Sequence, residues 1–425
     1  MLKIIKISIL LLFLVAGVSC TESDSTETLQ QEPVKKLDSK YPGKKVYRHS
    51  MDGTPTTLDP VRAAVIYSNF VVLNIFDTLY SYKYLARPYE LKPNLATSMP
   101  DVSEDGLTYT INIKKGVFFH DDVSFENGVG RELVAQDVIY SIQRHFDKQF
   151  QSQGAWLFAG RIVGLDDWKK NGSDYSQEIE GLQAIDSHTI QIKLIEPYPQ
   201  LIYTLAMGFT AVVPREAVEH YGVEFGSKPV GSGPFILDSF NQEKAVLFAN
   251  PKFRKESLDL AYEGYNEEKH GFTGVKALDG LAPPYIDVME IHFVMETSSR
   301  WNSFTKGDEI QYTTVPKEKA STVIQSKKPL TLYPEIVEKY HHTFMVESGF
   351  VYSGFDMSNP AFGITGDPVQ DEKNKALRCA IRKSFNWDQR NRAFYFNLGT
   401  VFPGAITPSV MEFDPDFDKE DRKSH

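Results

Sequence analysis

The sequence predicts a mixed chain of α/β or α+β lobes rather than a barrel. Three observations carry this. The chain has 425 residues, which at roughly 150 residues per domain suggests two or three domains. Several segments alternate apolar and polar residues with the period of a half-buried strand. Others carry apolar stripes at helical spacing, and the two kinds are interleaved without a strict βαβ rhythm or a repeat of fixed period.

Taken in order, the first clear strand covers 107–113: Leu107, Tyr109, Ile111 and Ile113 share one face, opposite Thr108, Thr110 and Asn112. A helix follows after Asp137, a plausible cap, with Val138, Ile139, Ile142 and Phe146 in one stripe. Ile190, Ile192 and Leu194 alternate with Thr189, Gln191 and Lys193 in a second strand. In a third, Met289, Ile291, Phe293 and Met295 oppose Glu290 and His292. Near the end Ala376, Leu377, Ala380, Ile381 and Phe385 form a stripe, with Lys373, Arg378, Arg382 and Lys383 pointing outward.

Composition narrows the function. Hydrophobic residues are 41% of the chain and the formal charge is −10. Bulk disorder and a multi-span membrane protein do not fit, and the acidic balance argues against general nucleic-acid binding. Two cysteines exclude a disulfide-rich scaffold and a multi-cysteine metal cluster. At the amino terminus Lys3 and Lys6 precede an apolar run over 9–15, then Ala16, Gly17, Val18 and Ser19 lead into Cys20. This is signal-peptide architecture, too short for a comfortable span. The small residues before Cys20 resemble the lipobox of bacterial lipoproteins, although Gly17 stands where Leu is usual; the alternative is a plain secretory signal with a chance cysteine. The reading divides this end into a signal peptide at 1–19 and a lipidated flexible tether at 20–45, the latter too polar to fold. It places the chain in the periplasm or cell envelope, lipid-anchored to the membrane.

No catalytic signature is present: there is no HExxH, GxSxG, Walker loop or GxGxxG. Gly231, Ser232, Gly233 and Pro234 lack the Lys of a phosphate cradle and read as a tight turn into a strand. His120, Asp121 and Asp122 are adjacent, so their side chains alternate faces; a polar turn is expected there, and a surface pair at His341 and His342. No catalytic residue, metal ligand or cofactor is assigned, and the chain is read as not an enzyme.

Several motifs, in order, resemble one family. They are Thr57-Leu58-Asp59-Pro60, followed by an apolar helix over 70–80; LKPNLATSMPDVSEDGLTYTINIKKGVFFHDD at 91–122; Ala135-Gln136-Asp137-Val138 with Tyr140, Ser141 and Arg144; Pro229-Val230-Gly231-Ser232-Gly233-Pro234-Phe235; Pro283-Pro284 before Asp287; and the helix around Ala376-Leu377-Arg378. Together they resemble the solute-binding family 5 of ABC importers, which includes the oligopeptide-, dipeptide- and nickel-binding proteins. The resemblance covers about 46–410. Asp122 replaces a usual Gly, residues 123–134 look inserted, and Asn386 takes the place of a usual Asp.

The resemblance implies an α/β fold: a two-lobed, periplasmic-binding-protein type II-like clamp with an additional small inserted lobe. Lobe I is expected over 46–297, the inserted lobe at about 70–200, and an incomplete third lobe over 298–425. Family members continue well beyond the turn near Gly404, so the resemblance also implies a chain truncated at its C-terminus, which would bind peptide weakly. The implied partners are a peptide or other small solute and an ABC permease in the inner membrane, with no nucleic acid. The implied ligand-binding residues are Arg62, Tyr67 and Asn69, after the amino-terminal motif, and Tyr352, Ser353 and Phe355, in a strand over 352–355. Alternatives are the same clamp holding a metal chelate, haem or sugar, and, in another class, a secreted hydrolase or a surface interaction protein.

Overall fold

A computed structural model describes residues 40–307, 309–327, 329–344 and 350–402. Cys20 and most of the expected tether lie outside the described residues. Ten strands organise the first three quarters of the chain: β1 (Val46–Met51), β2 (Tyr80–Tyr82), β3 (Leu91–Pro93), β4 (Asp101–Val102), β5 (Thr108–Asn112), β6 (Leu182–Asp186), β7 (Thr189–Lys193), β8 (Phe235–Phe240), β9 (Lys244–Ala249) and β10 (Val288–Phe293).

They form two four-stranded sheets and a small hairpin, β2–β3. The larger sheet has the order β1-β10-β9-β8. β1 runs parallel to β10, with Val46 opposite Val288, and the other pairs are antiparallel. Asp287 sets this register: its carboxylate accepts from the Lys45 amide at 2.7 Å, and its own amide donates to the Lys45 carbonyl at 2.9 Å. The smaller sheet, β4-β5-β7-β6, is wholly antiparallel. Its two middle strands are those marked by alternation, and Tyr109, Ile111, Ile190 and Ile192 face the core as the period requires. The helix Ala135–Gln143 packs on this sheet. One continuous apolar core runs from Met51 to Phe293 and takes in residues of both sheets.

Several local expectations are corrected. Asp137 is not the helix cap. The helix begins at Ala135, and Asp137, one turn in, accepts from the Val134 amide at 2.9 Å while it pairs with Arg131. The apolar helix expected over 70–80 is Ile66–Ile75, and Tyr80 opens β2. It stops at Ile75 because the glycine loop abuts its end: a Cβ on Gly231 would lie 2.1 Å from the Ile75 carbonyl oxygen, and the Gly233 amide donates to that oxygen at 2.8 Å. β10 is buried on both faces, so Glu290 does not point to solvent; Arg48 (2.8 Å) and Lys244 (3.2 Å) neutralise it. Met295 lies beyond the strand and is exposed. At the expected polar turn over 120–122, His120 is buried. Its Nδ1 faces the Gly231 amide at 3.4 Å and its Nε2 donates to the Gly233 carbonyl at 3.0 Å.

Two buried ion pairs join these motifs. Asp77 receives both Arg254 Nη atoms, at 2.8 and 3.0 Å, the Ser232 hydroxyl at 3.0 Å and the Asn94 amide at 3.2 Å. Burial alone would raise its carboxyl pKa, but Arg254 and these donors outweigh burial and hold it below the ordinary carboxylate range. Asp59 takes a bidentate bond from Arg144, at 3.0 and 2.7 Å. The Arg144 guanidinium also sits over the Phe150 ring at 4.4 Å.

Beyond β10 come the helices Thr297–Lys306, Pro368–Ser384 and Trp387–Tyr395 and a short hairpin, β11 (Ile324–Lys327) with β12 (Leu330–Leu332). The helix over 376–385 forms as expected, and its apolar stripe is open: Leu377 and Ile381 are 43% and 39% exposed.

Asp59→Asn leaves the Arg144 cation buried without its counter-charge. Urea denaturation should show a loss of about 3–5 kcal/mol; a loss near zero would show that Arg144 finds compensation elsewhere.

Candidate functional site

The carboxyl ends of β1 and β10, the parallel pair, lie side by side, and in open α/β sheets such ends are where ligands are held. From β1 the chain runs through residues 52–65 into the helix Ile66–Ile75; from β10 it runs into the helix Thr297–Lys306. Three side chains from these connections meet. Arg300 is buried and donates to the Val294 carbonyl at 2.6 Å and the Met295 carbonyl at 3.2 Å. Its other terminal nitrogen lies 3.9 Å from the exposed Asp52 carboxylate. The Tyr67 phenol is also beside Asp52; desolvation first, then that carboxylate, raises its pKa above the usual phenol range.

Backbone constraints fix this arrangement. A Cβ on Gly53 would sit 2.1 Å from the Tyr67 ring, so the ring occupies the space a side chain at 53 would need. Ser68, fully buried, accepts from the Thr56 amide at 3.1 Å and so ties the loop to the helix. Asp59, the partner of Arg144, begins the short turn Pro60–Arg62. Arg62 itself is exposed.

An aromatic stack adjoins the site. His49 of β1 lies between Phe70 and Tyr312, 4.6 Å from each ring centroid and within 13° and 16° of parallel. The Tyr47 hydroxyl and His49 Nδ1 share a hydrogen bond at 3.2 Å. Burial lowers the His49 pKa to about 4. The segment carrying Tyr312 is held along β1 by the Gln311 amide on the Arg48 carbonyl (2.9 Å) and the Ser50 hydroxyl on the Tyr312 carbonyl (2.7 Å).

The implied ligand residues separate into two groups. Arg62 closes the short turn Pro60–Arg62, Tyr67 and Asn69 lie at the start of the helix that follows, and the side chains of the latter two diverge. Tyr67 faces Gly53 and Asp52, whereas the Asn69 Oδ1 is buried against Gly208 and has no hydrogen-bond partner. Tyr352, Ser353 and Phe355 are exposed, and the expected strand at 352–355 is not formed. Tyr352 leans on Phe350 (5.6 Å) and Phe355 on Phe362 (5.8 Å), so local aromatic contacts take the place of a strand ladder. Among the described residues no hydrogen bond, ion pair or ring contact links the two groups. Sequence reasoning missed Asp52, His49, Tyr312 and Arg300. The alternation of Tyr47, His49 and Met51 was the one available signal; the other partners are joined only through tertiary structure. Among the described residues no cluster of His, Cys, Asp or Glu could hold a metal ion, and no helix is long and apolar enough to cross a membrane.

This architecture is the two-lobed, type II periplasmic-binding-protein fold, with mixed α and β content. Residues 90–424 match the family described as bacterial extracellular solute-binding proteins, family 5 (middle region), and the chain belongs to that family. It is 24% identical over 332 residues to the dipeptide-binding protein of Escherichia coli K12, covering 77% of this chain and 52% of that one. It is 28% identical over 356 residues to the glutathione-binding protein GsiB of Escherichia coli O1:K1, covering 84% and 55%. Among solved structures, the Helicobacter pylori binding protein DppA in complex with the peptide STSA superposes with a TM-score of 0.59 at 22% identity, covering 88% of this chain and 64% of that one. Listeria monocytogenes OppA bound to peptide gives 0.51 at 18%, covering 66% and 48%. The chain spans about half the length of the curated relatives it matches.

Two predictions follow from this geometry. Gly53→Ala forces the Tyr67 ring out of its seat and should cost about 1–3 kcal/mol in urea unfolding; unchanged stability would mean that the ring moves freely. The second concerns pH. The folded pKa values of His49 and buried His145 are lowered from 6.5 to about 4. Their contribution to stability is therefore complete above 6.5 and is lost as pH falls towards about 4. His49→Phe keeps the stack and should make that fall shallower; an identical pH profile would remove His49 from the account.

Proposed function

We propose that this chain is the solute-capturing component of an ABC importer, that it binds peptides outside the cytoplasm, and that it delivers them to a membrane permease. It does so by binding alone, without catalysis. The observation that supports this most is the match to family 5 over 90–424, together with relatives named for dipeptide and glutathione binding. The site chemistry is compatible: past the end of β1, Asp52 is exposed for an amine with the Tyr67 phenol beside it, and Arg62, further along the same connection, is exposed for a carboxylate.

In this reading, lobe I spans 46–297 with a smaller lobe inserted at about 70–200, and a third lobe begins near 298. Tyr352, Ser353 and Phe355 of the third lobe face Arg62, Tyr67 and Asn69 across the cleft, and closure on a peptide links ligand to conformation. Diacylglyceryl attachment at Cys20 anchors the protein to the envelope membrane.

Ligand-observed NMR suits weak binding. Saturation transfer from the chain to a mixture of di- to pentapeptides and glutathione should be saturable. Arg62→Ala and Tyr67→Phe should each weaken it about tenfold, or about 1.4 kcal/mol. The reading fails if no peptide shows saturable transfer, or if both variants bind like the parent. For the anchor, Cys20→Ala should move the protein out of the detergent phase; a variant that still partitions and is processed normally would remove lipidation from the proposal.

A further inference from the structure

His49 touches both connections that frame the candidate site. Its ring lies between Phe70, on the helix Ile66–Ile75 that carries Tyr67, and Tyr312, on the segment that follows the helix Thr297–Lys306 and its Arg300. Tyr67 and Arg300 are the two groups beside Asp52. One ring of β1 therefore stands between the two pieces of chain that carry them.

The helix needs an anchor at this end. Val65 precedes it without a side-chain capping bond, and its first turn holds no acidic residue to meet the helix dipole. The bond from the Thr56 amide to the Ser68 hydroxyl, at 3.1 Å, ties it to the loop over 52–65. Its contact with β1 is the Phe70 ring, 4.6 Å from that of His49. Phe70 is three residues after Tyr67, so the two rings are neighbours on one helix face, and where Phe70 seats, Tyr67 follows. On the other side, the Tyr312 segment is fastened to β1 both before and after His49. The Arg48 amide donates to the Gln311 side-chain oxygen and the Gln311 amide to the Arg48 carbonyl, each at 2.9 Å, and the Ser50 hydroxyl donates to the Tyr312 carbonyl at 2.7 Å.

The residue type matters. Phe70 and Tyr312 lie within 13° and 16° of parallel to the imidazole, so both faces of a flat side chain are covered. Tyr47, two residues earlier and so on the same face of β1, shares its hydrogen bond with Nδ1 and fixes the rotation of the ring. The adjacent charges are turned away, because Arg48 and Glu290 pair on the opposite face of the sheet.

We propose that His49 is a positioning residue of this site: it sets the spacing of Tyr67 and Arg300 about Asp52 without itself touching the ligand. Its effect on affinity rests on the reading of the site as a peptide site; its effect on Tyr67 does not.

The first test needs no ligand. The Tyr67 ring occupies the space where a Cβ on Gly53 would stand, 2.1 Å from it. A nuclear Overhauser effect between that ring and the Gly53 α-protons of the full chain should vanish in His49→Ala. It should persist in His49→Phe, which keeps a flat ring, and vanish in His49→Gln, which keeps a polar partner for Tyr47 and loses the ring. Should His49→Ala fail to fold, Tyr312→Ala, which removes the outer ring of the stack, should lose the same contact. In the peptide titration His49→Ala should weaken binding about tenfold. The tenfold cost of Tyr67→Phe should shrink below about threefold in the His49→Ala background, since a tyrosine already displaced has little left to lose. Persistence of the Tyr67–Gly53 contact in a folded His49→Ala or Tyr312→Ala chain overturns the proposal. So does full additivity of the two substitutions, or retention of the contact by His49→Gln. A parent chain that binds no peptide refutes the peptide reading alone, and the Tyr67–Gly53 contact then decides on His49.

Discussion

The fold depends on one buried carboxylate. Asp77 lies just past the helix Ile66–Ile75 and collects Arg254, Ser232 and Asn94, so segments from four parts of the chain end at a single charge. Each partner is specified by what the others leave. Arg254 fills both carboxylate oxygens in a plane, and Ser232 reaches in only because its flanking glycines bring the loop against Ile75. The same loop stops the helix and receives His120. The position of the first turn of that helix, where Tyr67 sits, is thus set ten residues away at its other end.

A second buried pair repeats this logic closer to the candidate site. Asp59 and Arg144 join the segment before the helix to the helix over 135–143, and stacking of Arg144 on Phe150 shields the charge from water. Replacing such pairs by apolar groups often costs little, whereas removing one partner costs much. Their value here is in register: an ion pair tolerates few alternative geometries, so the loop over 52–65 has one path between β1 and the helix.

Much of this was legible in the sequence, though unevenly. β5 and β7 were readable because one face of their sheet is covered and the other is open, so burial follows the period of two. β10 was misread on its polar face because Glu290 is buried, and its partner Arg48 is 242 residues away, beyond any local pattern. The helix start was missed for a related reason: Tyr67, Ser68 and Asn69 look like loop residues, and Ser68 is in the helix because its hydroxyl serves the Thr56 amide. Motif order revealed the family. It did not show that Asp59 meets Arg144, that Asp52 meets Arg300, or that His49 is enclosed by Phe70 and Tyr312, because those are meetings of distant segments. The strand at 352–355 was implied by the resemblance alone; its rings pack locally and no strand forms there.

The parallel pairing of β1 with β10 also has a meaning in time. β1 has its sheet neighbour 242 residues downstream. At the usual pace of synthesis, about 5–20 residues per second, that neighbour emerges some tens of seconds later, and the amino-terminal strand must wait as an unpaired edge. Loop closure over such a span is slow to be rewarded. The strand VYRHSM is suited to waiting, since a charged arginine at its centre discourages pairing with the wrong chain until Glu290 arrives to neutralise it. The ion pair that ends up buried in the sheet thereby also acts as a guard on the nascent chain.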